Sequence, residues 1–390
     1  MSTAVDRAPA SPSAPGGTDP LAGPVDDGRL SPARLVLGLV GMGVVVWAVA
    51  NLFLALAYYP QWFGSSKVLI GLIALAAGVG GAFLLFFFLN VFVEALPRKM
   101  SEGLIPYAFL LPGFGLMALM LLYPTVQTIV YSFANNDSTA WVGAKNYQDV
   151  FGDQGFRESL LNNFLWLLIV PASTVALGVV VAVLADKLSP QGEKLAKSAI
   201  FLPMAISFVG ASAIWNLVYA WNPEGTSQTG LLNAMYTALG GSPQTWLTIS
   251  SGRLNSLLLM IILVWLQVGF AMVLLSSAIK GVPDDTLEAA RIDGANEWQI
   301  FWKVVIPQIW GTILSVFITT VILVLKVFDI VYVLTNGRDK TNVIANLFFN
   351  EMFANSNAGK ASAIVVILLI LILPVLIYQV KMFREQEANR

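Results

Sequence analysis

The sequence predicts an all-α polytopic membrane protein, and three observations predict it. Of its 390 residues 57% are apolar and only 12% charged, whereas a soluble domain is about one quarter charged. The mean hydropathy is +0.73. Walking from one charge to the next leaves eight uncharged apolar runs, each long enough for the roughly 20 helical residues that cross a hydrocarbon core.

The runs are residues 35–66, 68–93, 103–136, 159–185, 198–223, 254–279, 304–325 and 361–380. Ahead of them, residues 1–33 carry Pro9, Pro12, Pro15, Pro20, Pro24 and Pro32 among Ala, Gly and Ser. Such a composition buries too little surface to offset ordering, so a disordered tail is expected. The first apolar run is too long for the core of a cleaved signal peptide and is expected to be retained. In the second run, Gly78, Gly80 and Gly81 permit close contact between helices. A ninth uncharged stretch, Gly225–Gly252, is too rich in Gly, Ser, Thr, Asn and Gln to lie in lipid, and reads as a loop with one short amphipathic helix.

Basic residues set the orientation. With the N-terminus inside, fourteen Lys and Arg fall on inner segments and seven on outer ones, Lys326 being left within a span. That bias predicts both termini in the cytoplasm. The near-neutral net charge and the lack of a basic tract argue against nucleic-acid binding. The absence of Cys and His excludes a disulfide framework, a thiol nucleophile and imidazole general-base catalysis.

One segment on the inner side is conspicuously polar: residues 286–299, TLEAARIDGANEWQ. Pro283 and the Asp285/Glu288 spacing predict a helix start resembling a capping box. Leu287, Ala290 and Arg291 share a face, Ala289 and Ala290 admit a close neighbour, and Gly294 supplies a left-handed stop. The segment is either a knob for a partner on that side or a solvated loop.

Glu288-Ala289-Ala290, then Gly294, then Val304-Val305-Ile306-Pro307 is similar to the EAA signature of importer-type ABC permeases. FLPMAISFVGASAIWNLVY from Phe201, GLLNAMYTALG from Gly230, VWLQVGFAMVLLSSAIKGVPDD from Val264 and KVFDIVYVLTNG from Lys326 resemble successive segments of the maltose-type sugar permeases. The resemblance covers residues 104–385. It implies a six-helix permease core there, with a coupling loop at 280–303, two extra N-terminal helices within 34–103 and a cytoplasmic end at 386–390.

The resemblance further implies an ATPase-coupling set of Glu288, Ala289, Ala290, Arg291, Asp293, Gly294 and Pro307. The implied partners are a second homologous permease, two ATPase subunits and an extracytoplasmic solute-binding protein in a bacterial plasma membrane. ATP and Mg would be used by the ATPase subunits, with no cofactor on this chain, which is not expected to be an enzyme. A phosphate-binding loop is indeed missing from the sequence: the Gly359-Lys360 pair is followed by Ala361.

Within the spans the only ionisable residues are Lys326 and Asp329, three apart and expected to pair on one helix. That is too few for a typical ion-gradient carrier, the first alternative. A non-sugar solute such as a glycerol phosphate is the second. A sugar needs hydrogen-bonding groups and an aromatic face. Gln267 is the leading candidate, since an unpartnered amide in hydrocarbon costs several kcal/mol, though a helix-to-helix hydrogen bond is an equally ordinary role. Ser207 and Ser212 on the fifth span, and Trp265 and Phe270 on the sixth, are further candidates. By resemblance, the sugar path runs near Met204, Phe208, Leu266, Gln267, Phe270, Leu323 and Val327.

Overall fold

A computed structural model describes residues 31–64 and 66–388. The tail expected over 1–33 therefore lies almost wholly outside the described residues, as do the last two residues of the chain. All regular elements among the described residues are helical, apart from one isolated bridge between Ala134 and Trp141. Six helices are long and apolar enough to cross a membrane, and eight spans result when each of two bent pairs is one span. The eight apolar runs of the sequence are therefore recovered, two of them broken.

The chain divides into two units at residue 124. In the first, α1 (Pro32–Tyr58) and α2 (Lys67–Glu94) form a hairpin through a 3-10 turn at Pro60–Phe63 and the left-handed Gly64. Its close packing uses Gly38 and Gly41 of α1, where an added Cβ would collide with Phe92 and Phe88. On α2 only Gly81 makes such a contact, with Val49, whereas Gly78 and Gly80 face open space. α3 (Arg98–Met117) contains Pro106 and Pro112 and runs through a π turn into α4 (Tyr123–Tyr131).

The second unit begins within α4 and contains α5 (Lys145–Gly152) and α6 (Gln154–Ala185). Asn146 on α5 donates its amide to the carbonyls of Ser132 and Ala134 at 2.9 and 2.7 Å, fixing the turn before it. α6 buries a stripe that recurs every three or four residues, Ser159, Asn163, Trp166, Val170 and Thr174 among it, the signature of a helix seated on a core. Gly178 continues that stripe and lets Ala271 approach so closely that an added Cβ would lie 2.7 Å from it.

α7 (Pro190–Phe201) and a 3-10 turn at Leu202–Ala205 meet α8 (Phe208–Val218) at 106°. Pro203 lies in the turn, Ile206 and Ser207 are extended, and the Ser207 hydroxyl accepts from Gly210 N–H at 3.1 Å to start α8 afresh. α9 (Leu231–Ala238) is the short helix expected in the Gly225–Gly252 loop. α10 (Leu254–Lys280) is the central helix of this unit, with Leu259, Ile262, Leu263, Leu266, Met272 and Leu275 all at most 1% exposed.

α11 (Asp284–Ile292) and α12 (Glu297–Ile300) follow, then a π segment at Phe301–Val305 and α13 (Ile306–Gln308). The chain bends 68° at Ile309 into α14 (Trp310–Leu325). Pro307 lacks the N–H that would bond the carbonyl of Lys303, and the adjacent π segment closes with the wider bond from Ile306 N–H to Phe301. α15 (Asp329–Leu334), α16 (Ile344–Phe349), a π segment at Asn350–Ala354 and α17 (Ala358–Ala388) complete the unit.

Candidate functional site

Two places in the second unit bring the predicted residues together. The first is α11. It begins at Asp284, two residues earlier than an Asp285 cap would place it, with Pro283 at its N-cap and no side-chain cap. The Asp285/Glu288 capping box therefore does not form. Asp284 and Asp285 instead lie in the first turn, where negative charge meets the positive end of the helix. The box forms one helix later, where Asn296 accepts from Gln299 N–H at 2.9 Å and Gln299 accepts from Asn296 N–H at 3.0 Å.

The end of α11 is as the sequence predicts. Gly294 has φ +81°, its N–H bonds the carbonyl of Arg291, and Ala295 N–H bonds that of Ala290, both at 3.0 Å. These two bonds define a Schellman stop. Arg291 braces the turn by pairing with Glu297 at 3.0 Å, and that bond raises its pKa. Asp293 is the exposed C-cap residue.

The face of α11 that meets the rest of the chain is not the one that meets solvent. Leu287 and Ala290 pack, with Ala295, on a core of Val282, Ile300, Val305 and Ile309. Arg291, expected on their face, is exposed. Glu288, Ala289 and Ile292 point outward, and Ile292 is 86% exposed. Ala290 thus serves the close approach of α11 to its own chain, while Ala289 remains open to another. Ile292 went unnoticed in the sequence, although its spacing of four from Glu288 places it on the same face. Pro307 lies on the exposed side of α13, short of the 68° bend.

The second place is a cleft of about 410 Å³ where α8, α10, α14 and α15 meet, walled by Phe208, Leu263, Thr319, Leu323 and Val327. Lys326 and Asp329 line it too. The expectation that these two pair on one helix is corrected: α14 stops at Leu325, Lys326 is its C-cap, and α15 starts afresh at Asp329. No ion pair or hydrogen bond joins them among the described residues. Each residue instead sits at the helix end of opposite sign, Lys326 at the carbonyl end of α14 and Asp329 in the first turn of α15. Backbone broken at membrane depth is tolerated where it lines a cavity.

Of the predicted path, Phe208, Leu323 and Val327 reach this cleft. Leu266 does not: it is 1% exposed in the core of α10. Met204 and Ser207 are exposed at the 106° bend, and Phe270 is half-buried outside the cleft walls. Ser212 is buried and spends its hydroxyl on the carbonyl of Phe208 at 2.8 Å. Trp265 stands edge-on to Trp215, 5.8 Å away. Gln267 is buried at 8% exposure, yet its amide makes no hydrogen bond within the described chain. The helix-to-helix bond that was its ordinary reading is absent among the described residues.

Two polar groupings had no sequence signal beyond their residue types. Lys197 joins the ends of α6, α7 and α10 by bonding Asp186 at 2.7 Å, Glu193 at 2.6 Å and Ser276, with Lys280 on Glu193 as well. At the other end of α6, Asn162 bonds the carbonyls of Lys340 and Asn342, both at 2.7 Å, and Arg253 caps Asn162 at 2.6 Å. This clamp holds the turn after α15, where Asn336, Gly337, Asp339 and Lys340 all have positive φ.

Apolar spans interrupted beside a cleft, with a polar helix standing on the connection between two of them, define a membrane permease, in which discontinuous helices surround the solute route. The family profile described as binding-protein-dependent transport system inner membrane component matches residues 174–384, and the chain belongs to that family. It is 42% identical over 341 residues to the alpha-glucoside transport system permease protein AglF of Rhizobium meliloti (strain 1021), covering 87% of this chain and 96% of that one. It is 50% identical over 282 residues to the osmoprotective compounds uptake permease protein GgtC of Synechocystis sp. (strain ATCC 27184 / PCC 6803 / Kazusa), covering 72% of this chain and 100% of that one. Among solved structures, a chain of a bacterial ABC transporter involved in the import of the acidic polysaccharide alginate shares the fold, with a TM-score of 0.62 at 19% identity, over 74% of this chain and 98% of that one.

Proposed function

We propose that this chain is the permease subunit of an ABC importer that carries a sugar, an oligosaccharide or glucoside, into a bacterial cell by alternating access. ATP is hydrolysed by two separate ATPase subunits, and the chain pairs with a second permease and receives its solute from an extracytoplasmic binding protein. Both termini are cytoplasmic, which puts α11 on the ATPase side. The observation that carries this reading is the build of α11. Leu287 and Ala290 bind it to the ends of the membrane helices, while Glu288, Ala289 and Ile292 are left for another protein, so a push on the exposed face reaches the spans. The sugar assignment is supported by the likeness to a permease named for alpha-glucosides.

The test is reconstitution of the permease pair, ATPase subunits and binding protein in proteoliposomes, with uptake measured over a panel of α-glucosides and glycerol phosphate. ATP-dependent uptake of a glucoside that survives collapse of ion gradients is the expected result. Uptake that follows an ion gradient without ATP would overturn the mechanism, and exclusive uptake of glycerol phosphate would overturn the sugar.

A further inference from the structure

Lys326 and Asp329 leave more hydrogen-bonding capacity unused than any other pair of groups lining the cleft. An ammonium offers three donors and a carboxylate about four acceptor sites, and none is taken by the described chain. Lys326 is exposed and Asp329 half-buried, and the helix ends beside them do not fill those positions. Phe328 lies between them in sequence and also lines the cleft. Its ring stacks on Tyr332 at 5.1 Å and meets Phe349 at 5.1 Å, and Phe349 meets Phe353 at 4.7 Å. Phe353 is 67% exposed. A chain of ring contacts thus connects Phe353, beside the surface π segment at Asn350–Ala354, with Phe328 between the two charges.

A site with one donor head, one acceptor head and an aromatic face suits a ring that carries hydroxyls on its rim and C–H bonds on its flat side. We propose that Lys326, Asp329 and Phe328 form a recognition subsite for a neutral pyranose ring in this cleft. Asp329 accepts from ring hydroxyls, Lys326 donates to ring or hydroxyl oxygens, and Phe328 presents the stacking face. This inference rests on the sugar reading of the preceding section and adds the residues that would read the ring. A second permease subunit lying over the same aromatic run would have to bury both unpaired charges, an expensive arrangement without new partners.

The test uses the full complex in proteoliposomes with trehalose, sucrose and maltose as probes. In the sugar that the parent complex transports best, Asp329→Asn, Lys326→Gln and Phe328→Ala should each lower uptake about tenfold, while Phe328→Tyr, which keeps the ring, should restore most of it. Because the chain has no native cysteine, Thr319→Cys on the cleft wall reports occupancy: the same sugar should slow its alkylation in the otherwise unchanged chain and not in the Asp329→Asn background. Equal protection in both backgrounds, or parental uptake by Phe328→Ala, would overturn the subsite. So would a Thr319→Cys that no reagent reaches in the assembled complex, which would mean that another subunit covers the cleft. If the parent complex moves neither these nor any other α-glucoside of the wider panel, the sugar reading itself fails; if it moves one and the variants behave as the parent, only the subsite fails.

Discussion

Lys326 closes one helix and Asp329 opens the next, and although both line the same cleft they are not bonded to each other. Their separation gives a thermodynamic expectation. Removing one member of a buried ion pair leaves the other uncompensated and costs several kcal/mol, whereas two charges that each answer a helix end contribute about 0.3–1 kcal/mol apiece. Lys326→Met and Asp329→Asn should therefore lower the thermal stability of the purified permease slightly and additively. A double-mutant cycle should give a coupling below about 0.5 kcal/mol. A coupling of 2 kcal/mol or so would restore the ion pair.

Coupling through α11 predicts a different phenotype. Glu288→Lys reverses a charge on the exposed face, and Gly294→Asp puts a side chain at φ +81°, at a cost of about 1 kcal/mol. Both variants should insert normally but lose transport and co-purify poorly with the ATPase subunits. Ile292→Asp, which removes an apolar side chain that nothing in the described chain covers, should do the same. Parental uptake in all three would reduce α11 to a solvated connection.

The brace around Lys197 should matter for stability. Lys197→Met leaves Asp186, Glu193 and Ser276 short of their shared donor, a loss of roughly 1–3 kcal/mol for partly buried groups. A melting temperature lowered by several degrees is expected from a thermal-shift assay in detergent. An unchanged melting point would show that Lys280, already on Glu193 and 3.5 Å from Asp186, compensates fully.

Why these features were unequally legible is a matter of which signals are local. The spans were readable because charge placement alone delimits them, and the Gly294 stop because a left-handed turn favours one residue type. The breaks at Ile206–Ser207 and Ile309 were not, because the residues on either side are similarly apolar and the hydrophobic count hardly changes, and at Lys326–Phe328 the two charges mark the place without showing that the helix stops. Pro203, Pro307 and the Ser207–Gly210 cap were the available hints. Reading Lys326 and Asp329 as neighbours on one helix assumed continuity that the backbone does not have. The Asp285/Glu288 spacing behind Pro283 points to a capping box, but the same spacing recurs at Asn296 and Gln299, and only the backbone shows which of the two forms it. Of the solute path, Phe208, Leu323 and Val327 came together while Leu266 went into the core, one residue along α10 from Gln267 and so rotated about 100°.

Orientation is open to a direct measurement. Single cysteines at Lys145, on α5, and at Lys194, on α7, have no native thiol to compete with. An impermeant thiol reagent added to intact cells should label Lys145→Cys and spare Lys194→Cys until the membrane is opened. The reverse pattern would place α11 outside and remove the basis for coupling to a cytoplasmic ATPase.

Gln267 supplies the remaining expectation. The residue is 8% exposed and its amide is unbonded within the described chain, so a structural hydrogen bond between helices of this subunit is not what holds it in place. If it serves the solute, Gln267→Leu keeps the volume and removes one hydrogen bond to a neutral partner, worth roughly 0.5–1.5 kcal/mol. Uptake should fall from a few-fold to about tenfold while the variant assembles and melts like the parent. Phe270→Ala should act in the same direction by removing a half-buried aromatic face. If Gln267 instead bonds the second permease, the Leu variant should lose that subunit on purification, with no change in the order of preferred sugars. Size-exclusion chromatography of the assembled complex, set beside the uptake panel, separates the two roles, because only the first alters transport in a complex that stays whole.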